Sequence, residues 1–276
     1  MDKIYLSEPL VSVKWLQENL DASNLVILDA TMNKVTDNNS GPTTIQIPNA
    51  RFFAIKNIFS DTSNPFPNAV PSEDHFTRET QKLGINKDSA IVVYDDNGIY
   101  SSARVWWLFR AFSHDNVAVL DGGMPEWLKW NYITEPKQNH KSQTGDFIAK
   151  FNPEYFKFFE DIKAGKDDKD TLILDARSSD RFYGRVTEPR EGLRSGNIPN
   201  SRSLPYTELI NENKLKDKNE MISIFNKFDT SKKELIFSCG SGITACILAL
   251  GAELAGLKEI SVYDGSWTEY GTLTKE

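Results

Sequence analysis

The chain has 276 residues, 39% of them apolar and 26% charged, with a net charge of −7 at neutral pH. That acidic balance gives no long-range attraction to polyanions, so nucleic acid and anionic membrane surfaces are not expected partners, and no apolar run approaches the ~18 residues of a spanning helix. Two cysteines cannot build a disulfide framework, and Met1 to Pro9 holds no basic segment leading into an apolar run, so a reducing, cytoplasmic setting without a secretory leader is expected.

In chain order, the apolar run Leu25 to Thr31 predicts a buried strand, followed by the turn segment Ile47-Pro48-Asn49-Ala50-Arg51. Ala90 to Tyr94 predicts a second strand, and apolar spacing over Ser101 to Phe112 predicts a helix. Val119-Leu120-Asp121-Gly122-Gly123 closes this block, and the polar, aperiodic stretch Thr134 to Gly145 predicts a solvated connector. The pattern then recurs. Thr171 to Arg177 repeats the first strand, Ile198-Pro199-Asn200-Ser201-Arg202 the turn, Glu234 to Ser238 the second strand, Ala245 to Leu257 the helix, and Val262 to Ser266 the closing segment. Offsets counted from Asp29, Pro48, Asp95 and Asp121 to their partners are 146, 151, 144 and 143. Four blocks at near-constant spacing imply a tandem duplication of a domain of roughly 125 residues. Each copy alternates strands and helices, the signature of an α/β fold with a mainly parallel central sheet flanked by helices. The expected division is a first domain over residues 1–135, a linker over 136–150 and a second domain over 151–276.

The strongest chemical signal is Ser238-Cys239-Gly240-Ser241-Gly242-Ile243-Thr244-Ala245, set between a strand and a helix. Two glycines in four residues allow a tight turn with amide groups pointing inward. The following helix N-terminus adds about half a positive charge. A thiolate or a persulfide anion is stabilised in such a cradle. The alternative, a buried inert cysteine, suits Cys246 on its apolar helix better than Cys239. In the first copy Asp95 stands where Cys239 stands in the second, so the chemistry is expected in the second domain. A cysteine phosphatase would need an arginine near Ala245 to hold phosphate. A cysteine hydrolase would need a base, and His75, His114 and His140 all precede the second copy. No clustered ligand pattern suggests a metal, and no cofactor is expected.

Tandem copies with one active loop, and the sequence Cys239-Gly240-Ser241-Gly242-Ile243-Thr244-Ala245, resemble the two-domain rhodanese-type sulfurtransferases, in particular the 3-mercaptopyruvate branch. Relatives that use thiosulfate carry basic residues after the cysteine, where this chain has Gly240 and Ser241. A second segment matches: Asp180-Arg181-Phe182-Tyr183-Gly184, Thr187 to Gly192, and Ser195 to Pro199. The resemblance implies that Arg181 and Arg190 hold the 2-oxo acid of the donor, where a guanidinium grips a carboxylate bidentately. It also implies that Ser241 polarises substrate or relays a proton, and that the amides from Gly240 through Gly242, Ile243 and Thr244 cradle a persulfide on Cys239. A small-molecule sulfur donor and a thiol acceptor such as thioredoxin are the implied partners. A thiosulfate:cyanide sulfurtransferase and a non-catalytic persulfide-binding protein are the alternatives. Two positions depart from the family. Asn68, in Pro65-Phe66-Pro67-Asn68-Ala69-Val70-Pro71, replaces its histidine, and Lys56 falls where its aspartate is expected. Asp61 and His75 lie nearby, expected in a turn and on a helix surface.

Overall fold

The computed structural model describes residues 3–35, 43–138, 142–232 and 234–275. His140 lies outside them. The chain divides into two compact units. The first is Met1–Asp61, Val70–Asn152 and Glu212–Lys214, and the second Thr62–Ala69, Pro153–Asn211 and Leu215–Glu276.

The first unit contains the strands β1 (Leu10–Val11), β2 (Leu25–Asp29), β3 (Ile45–Gln46), β4 (Arg51–Phe52), β5 (Ala90–Tyr94), β6 (Val117–Leu120) and β7 (Glu135–Pro136). Its helices are α1 (Val13–Glu18), α2 (Glu73–Lys82), α3 (Ser102–Ala111) and α4 (Gly123–Lys129). Beyond these come β8 (Phe156–Lys157), β9 (Thr171–Asp175), β10 (Arg202–Ser203), β11 (Ile210–Asn211), β12 (Lys214–Leu215), β13 (Glu234–Ser238) and β14 (Ile260–Tyr263). The helices of the second unit are α5 (Phe159–Gly165), α6 (Ser179–Phe182), α7 (Lys218–Phe225), α8 (Ala245–Leu254) and α9 (Ser266–Leu273).

The duplication read from the offsets is a duplication of topology. The first sheet runs β1-β6-β5-β2-β4 and the second β8-β14-β13-β9-β10, with parallel neighbours throughout. Register repeats as well: Asp29 pairs with Tyr94 in one copy and Asp175 with Ser238 in the other. A parallel sheet covered on both faces needs strands apolar on both faces, and all of β5 is buried. The helix after each second strand is equally enclosed, with eight of the ten residues of α8 buried. Ile173, Ile236, Tyr263, Trp267 and Tyr270 form the core beneath the second sheet.

The expected solvated connector is only partly so. Glu135 and Pro136 pair antiparallel with Gln46 and Ile45. Farther on, Gly145 donates to Gln81 O at 2.9 Å and Phe147 to Ile85 O at 3.2 Å. The reason is Phe147, which is 3% exposed and stacks edge-on with Phe76 and His114. One aromatic ring outweighs the polar composition around it.

Candidate active site

β13 ends at Ser238, the loop carries Cys239 to Thr244, and α8 begins at Ala245. Cys239 is 1% exposed. Gly242 has φ +75°, a left-handed turn that glycine adopts without strain. The first amides of α9 fix the loop from one side: Trp267 N–H donates to Cys239 O at 2.9 Å and Thr268 N–H to Gly240 O at 3.0 Å. Thr268 Oγ1 donates to the same Gly240 carbonyl. The carbonyls of Cys239 and Gly240 are thereby turned toward α9.

Comparison of the two copies shows what those amides hold. In the first copy Asp95 is fully buried, and its Oδ2 accepts from the amides of Tyr100, Ser101 and Ser102 at 2.9–3.0 Å. Its Oδ1 accepts from Asn97 N–H at 2.9 Å. The carboxylate sits in a nest of amides at the start of α3, an arrangement that favours an anion. The corresponding amides in the second copy belong to Ser241, Thr244, Ala245 and Cys246. Cys246 N–H bonds Ile243 O at 3.2 Å, whereas those of Ser241, Thr244 and Ala245 have no acceptor among the described residues. The residue at the position of Asp95 in this second loop is Cys239.

A side chain that sequence reasoning passes over ties the loop together. Ser266 Oγ accepts from Cys239 N–H and Gly242 N–H, both at 3.1 Å, donates to Tyr263 O at 2.8 Å, and lies 3.9 Å from Cys239 Sγ. The Gly242 amide, expected in the persulfide cradle, bonds Ser266 in this structure. Ser266 has φ +50°, and its counterpart Gly123 has φ +51°. At Gly123 a Cβ would collide with the carbonyls of Asp95 and Gly98. A serine where the first copy requires glycine was the available signal.

Two arginines arrive over the loop. A Cβ on Gly240 would stand 3.2 Å from Arg181 Nη2 and 3.4 Å from Arg190 Nη1, so glycine leaves room for both guanidinium groups. Arg190 Nη2 donates to Ser241 Oγ at 2.9 Å. Arg181 reaches Glu188 with Nη2 at 2.6 Å and Nε at 3.2 Å. Buried Glu188 also accepts from Arg177 Nη1 at 2.9 Å, and Arg177 pairs with Asp175 at 2.7 Å and covers the Trp267 ring. Burial works against the Arg177 charge, but the carboxylates of Asp175 and Glu188 outweigh it and hold its pKa above the ordinary value. Arg181 is thus oriented by an ion-pair chain rooted in β9, and Glu188 is a second residue whose role the sequence did not reveal.

Ile243 is buried, and Thr244 occupies the N-cap position of α8. Cys246 is buried and its thiol donates to Gly242 O at 3.3 Å, in keeping with a packing role. Asn68 belongs to the same unit, and its Nδ2 donates to Ser241 O at 3.2 Å and Ser241 Oγ at 3.0 Å. His75 lies on α2 with its ring nitrogen at Ile58 O, and His114 is buried against Ser89 O with its pKa lowered by burial. Lys56 is exposed.

A model of the rhodanese-like domain matches residues 12–129 and again 159–272. The chain belongs to the rhodanese-like family. It is 38% identical over 292 residues to thiosulfate/3-mercaptopyruvate sulfurtransferase 1, mitochondrial, of Arabidopsis thaliana, covering 96% of this chain and 76% of the relative. It is 39% identical over 277 residues to the 3-mercaptopyruvate sulfurtransferase of Mus musculus, covering 96% and 92%. The crystal structure of SseA from Escherichia coli superposes with a TM-score of 0.85 at 31% identity, covering 95% of this chain and 99% of that one. This rhodanese-like protein is accordingly a two-domain sulfurtransferase. No helix among the described residues is long and apolar enough to cross a membrane.

Proposed function

We propose that this sulfurtransferase takes the sulfur of 3-mercaptopyruvate onto Cys239 and passes it to a thiol acceptor. The supporting observation is the comparison of the two loops: one copy fills its amides with the Asp95 carboxylate, while the other carries Cys239 at the matching position and leaves the amides of Ser241, Thr244 and Ala245 without an acceptor among the described residues. The thiolate attacks the sulfur of the donor. The sulfur–carbon bond breaks, and its electron pair passes into the enolate of pyruvate. The proton of the donor thiol ends on the methyl carbon of pyruvate, leaving Cys239 as a persulfide anion. No external oxidant is needed. The amides of Ser241, Thr244 and Ala245 and the N-terminus of α8 hold the outer sulfur.

Arg181 and Arg190 bind the 2-oxo acid end, an assignment supported by their convergence over Gly240. Ser241, beneath Arg190, faces the carbonyl. An acceptor thiol, thioredoxin or a small thiol, then removes the outer sulfur in a second half-reaction. A reducing, cytoplasmic setting belongs to the same proposal and is supported by two free cysteines.

The test is initial-rate sulfur transfer to a reduced thiol with 3-mercaptopyruvate and thiosulfate as separate donors, alongside intact-mass detection of the persulfide. Preference for mercaptopyruvate is expected. Preference for thiosulfate would replace the donor, and a persulfide without turnover would make the protein a sulfur-binding one. Cys239→Ser is expected to abolish both transfer and the mass shift, and turnover above background in that variant would refute the covalent carrier.

A further inference from the structure

Ser241 is 6% exposed, and its hydroxyl accepts two hydrogen bonds, from Arg190 Nη2 at 2.9 Å and Asn68 Nδ2 at 3.0 Å. A hydroxyl has two acceptor lone pairs and one proton. Both lone pairs are therefore occupied, and among the described residues the proton has no acceptor. The amide of Asn68 is fixed in orientation, because Nδ2 also faces the carbonyl of Ser241 at 3.2 Å, which only a donor can face. Asn68 itself has φ +63°, a left-handed conformation that asparagine tolerates better than most residues.

We propose that Asn68 is a positioning residue that, with Arg190, locks Ser241 as a hydrogen-bond donor aimed at the 2-oxo oxygen of the sulfur donor. The inference rests on the donor proposed above. Charge builds on that oxygen as the sulfur–carbon bond breaks and the enolate forms, and a preset hydroxyl proton stabilises it. Ser241 neither loses nor gains a proton in the step. The enolate carbon takes the proton of the donor thiol, so Asn68 needs no titrating group. The charged groups at this loop are Arg190 and the Arg181–Glu188 pair, with Cys239 as the reacting thiol.

The variants are Asn68→Gly, which keeps a left-handed backbone without strain, and Asn68→Asp, the isostere that accepts where asparagine donates. Steady-state transfer from 3-mercaptopyruvate to a reduced thiol is measured for both, for Ser241→Ala and for the Asn68→Gly/Ser241→Ala double variant. Asn68→Gly is expected to lower kcat about tenfold with KM moved less than about threefold, and Ser241→Ala to lower kcat about a hundredfold. Asn68→Asp is expected to fall below Asn68→Gly, since the carboxylate draws the hydroxyl proton to itself. In the Ser241→Ala background, removal of Asn68 should cost nothing further. The ratio of wild-type to Asn68→Gly rates should stay flat from about pH 6 to 9, because an amide does not titrate. Wild-type kcat in Asn68→Asp, or a full Asn68→Gly loss persisting without the Ser241 hydroxyl, would overturn the inference. If Asn68→Gly does not fold, the Asn68→Asp comparison decides alone. Wild-type protein inactive with 3-mercaptopyruvate would instead overturn the donor, and this inference with it.

Discussion

Replacing Asp95 by alanine removes the carboxylate that the first copy keeps where the second keeps its cysteine. Four N–H groups lose their acceptor, and the bonds from Ser101 and Ser102 are fully buried. Asn97 and Tyr100 are partly buried and can turn to water. Two buried orphaned donors at about 1–3 kcal/mol each, with about 0.5 kcal/mol for a lost anion at the N-terminus of α3, give a destabilisation of about 3–6 kcal/mol. The cap itself offers no compensation, since Ser101 makes no side-chain capping bond.

Asp95→Asn keeps the shape but turns an amino group toward donors, and about half the loss is expected. The assay is urea unfolding followed by tryptophan fluorescence and circular dichroism, read at the transition of the first unit because two units need not unfold together. A shift below about 1 kcal/mol for Asp95→Ala would refute the view that this carboxylate fills an anion nest.

Three further outcomes follow from the second copy. Gly240→Ala should fold normally, since the new methyl meets only the ends of the Arg181 and Arg190 side chains. It should raise KM for 3-mercaptopyruvate several-fold, and an unchanged KM would separate those arginines from donor binding. Ser266→Ala removes the hydroxyl that meets the amides of Cys239 and Gly242 and the Tyr263 carbonyl, and is expected to cost about 2–4 kcal/mol in urea unfolding; a neutral result would show that the loop holds itself. Burial raises the pKa of Glu269, and Asp264 adds to it while the neighbouring Tyr263 hydroxyl works against it. A carboxyl with a raised folded pKa contributes stability below its unfolded value and loses it as pH rises through the folded value. Glu269→Gln should therefore gain on wild type as pH rises above the ordinary glutamate value of about 4, and urea midpoints that keep a constant gap through that rise would refute the assignment.

Much of the fold is legible because a duplication writes its evidence twice. A single apolar run cannot say whether it is strand or helix, but Leu25 to Thr31 and Thr171 to Arg177, each followed by a matching turn and strand, constrain each other. Cys239 stands out as a candidate for the same reason, as the position at which otherwise similar loops differ. Ser266 and Glu188 are harder to find. Their importance lies in which backbone and guanidinium groups they meet, across 27 residues to Cys239 and 7 residues to Arg181. The connector departs from its expected solvation because a polar stretch hides how strongly one buried aromatic side chain anchors its neighbours.

The sequence by itself determined the class of fold and the repeat, because hydrophobic period and loop composition are local properties of the chain. It also placed Asn68 at a departure from the family. Only the tertiary structure decided which atoms Asn68 meets. Asn68 and Ser241 are 173 residues apart in the chain, yet the amide donates to both the hydroxyl and the carbonyl of Ser241. A hydrogen bond depends on distance and direction in space, and neither is written in the order of the residues.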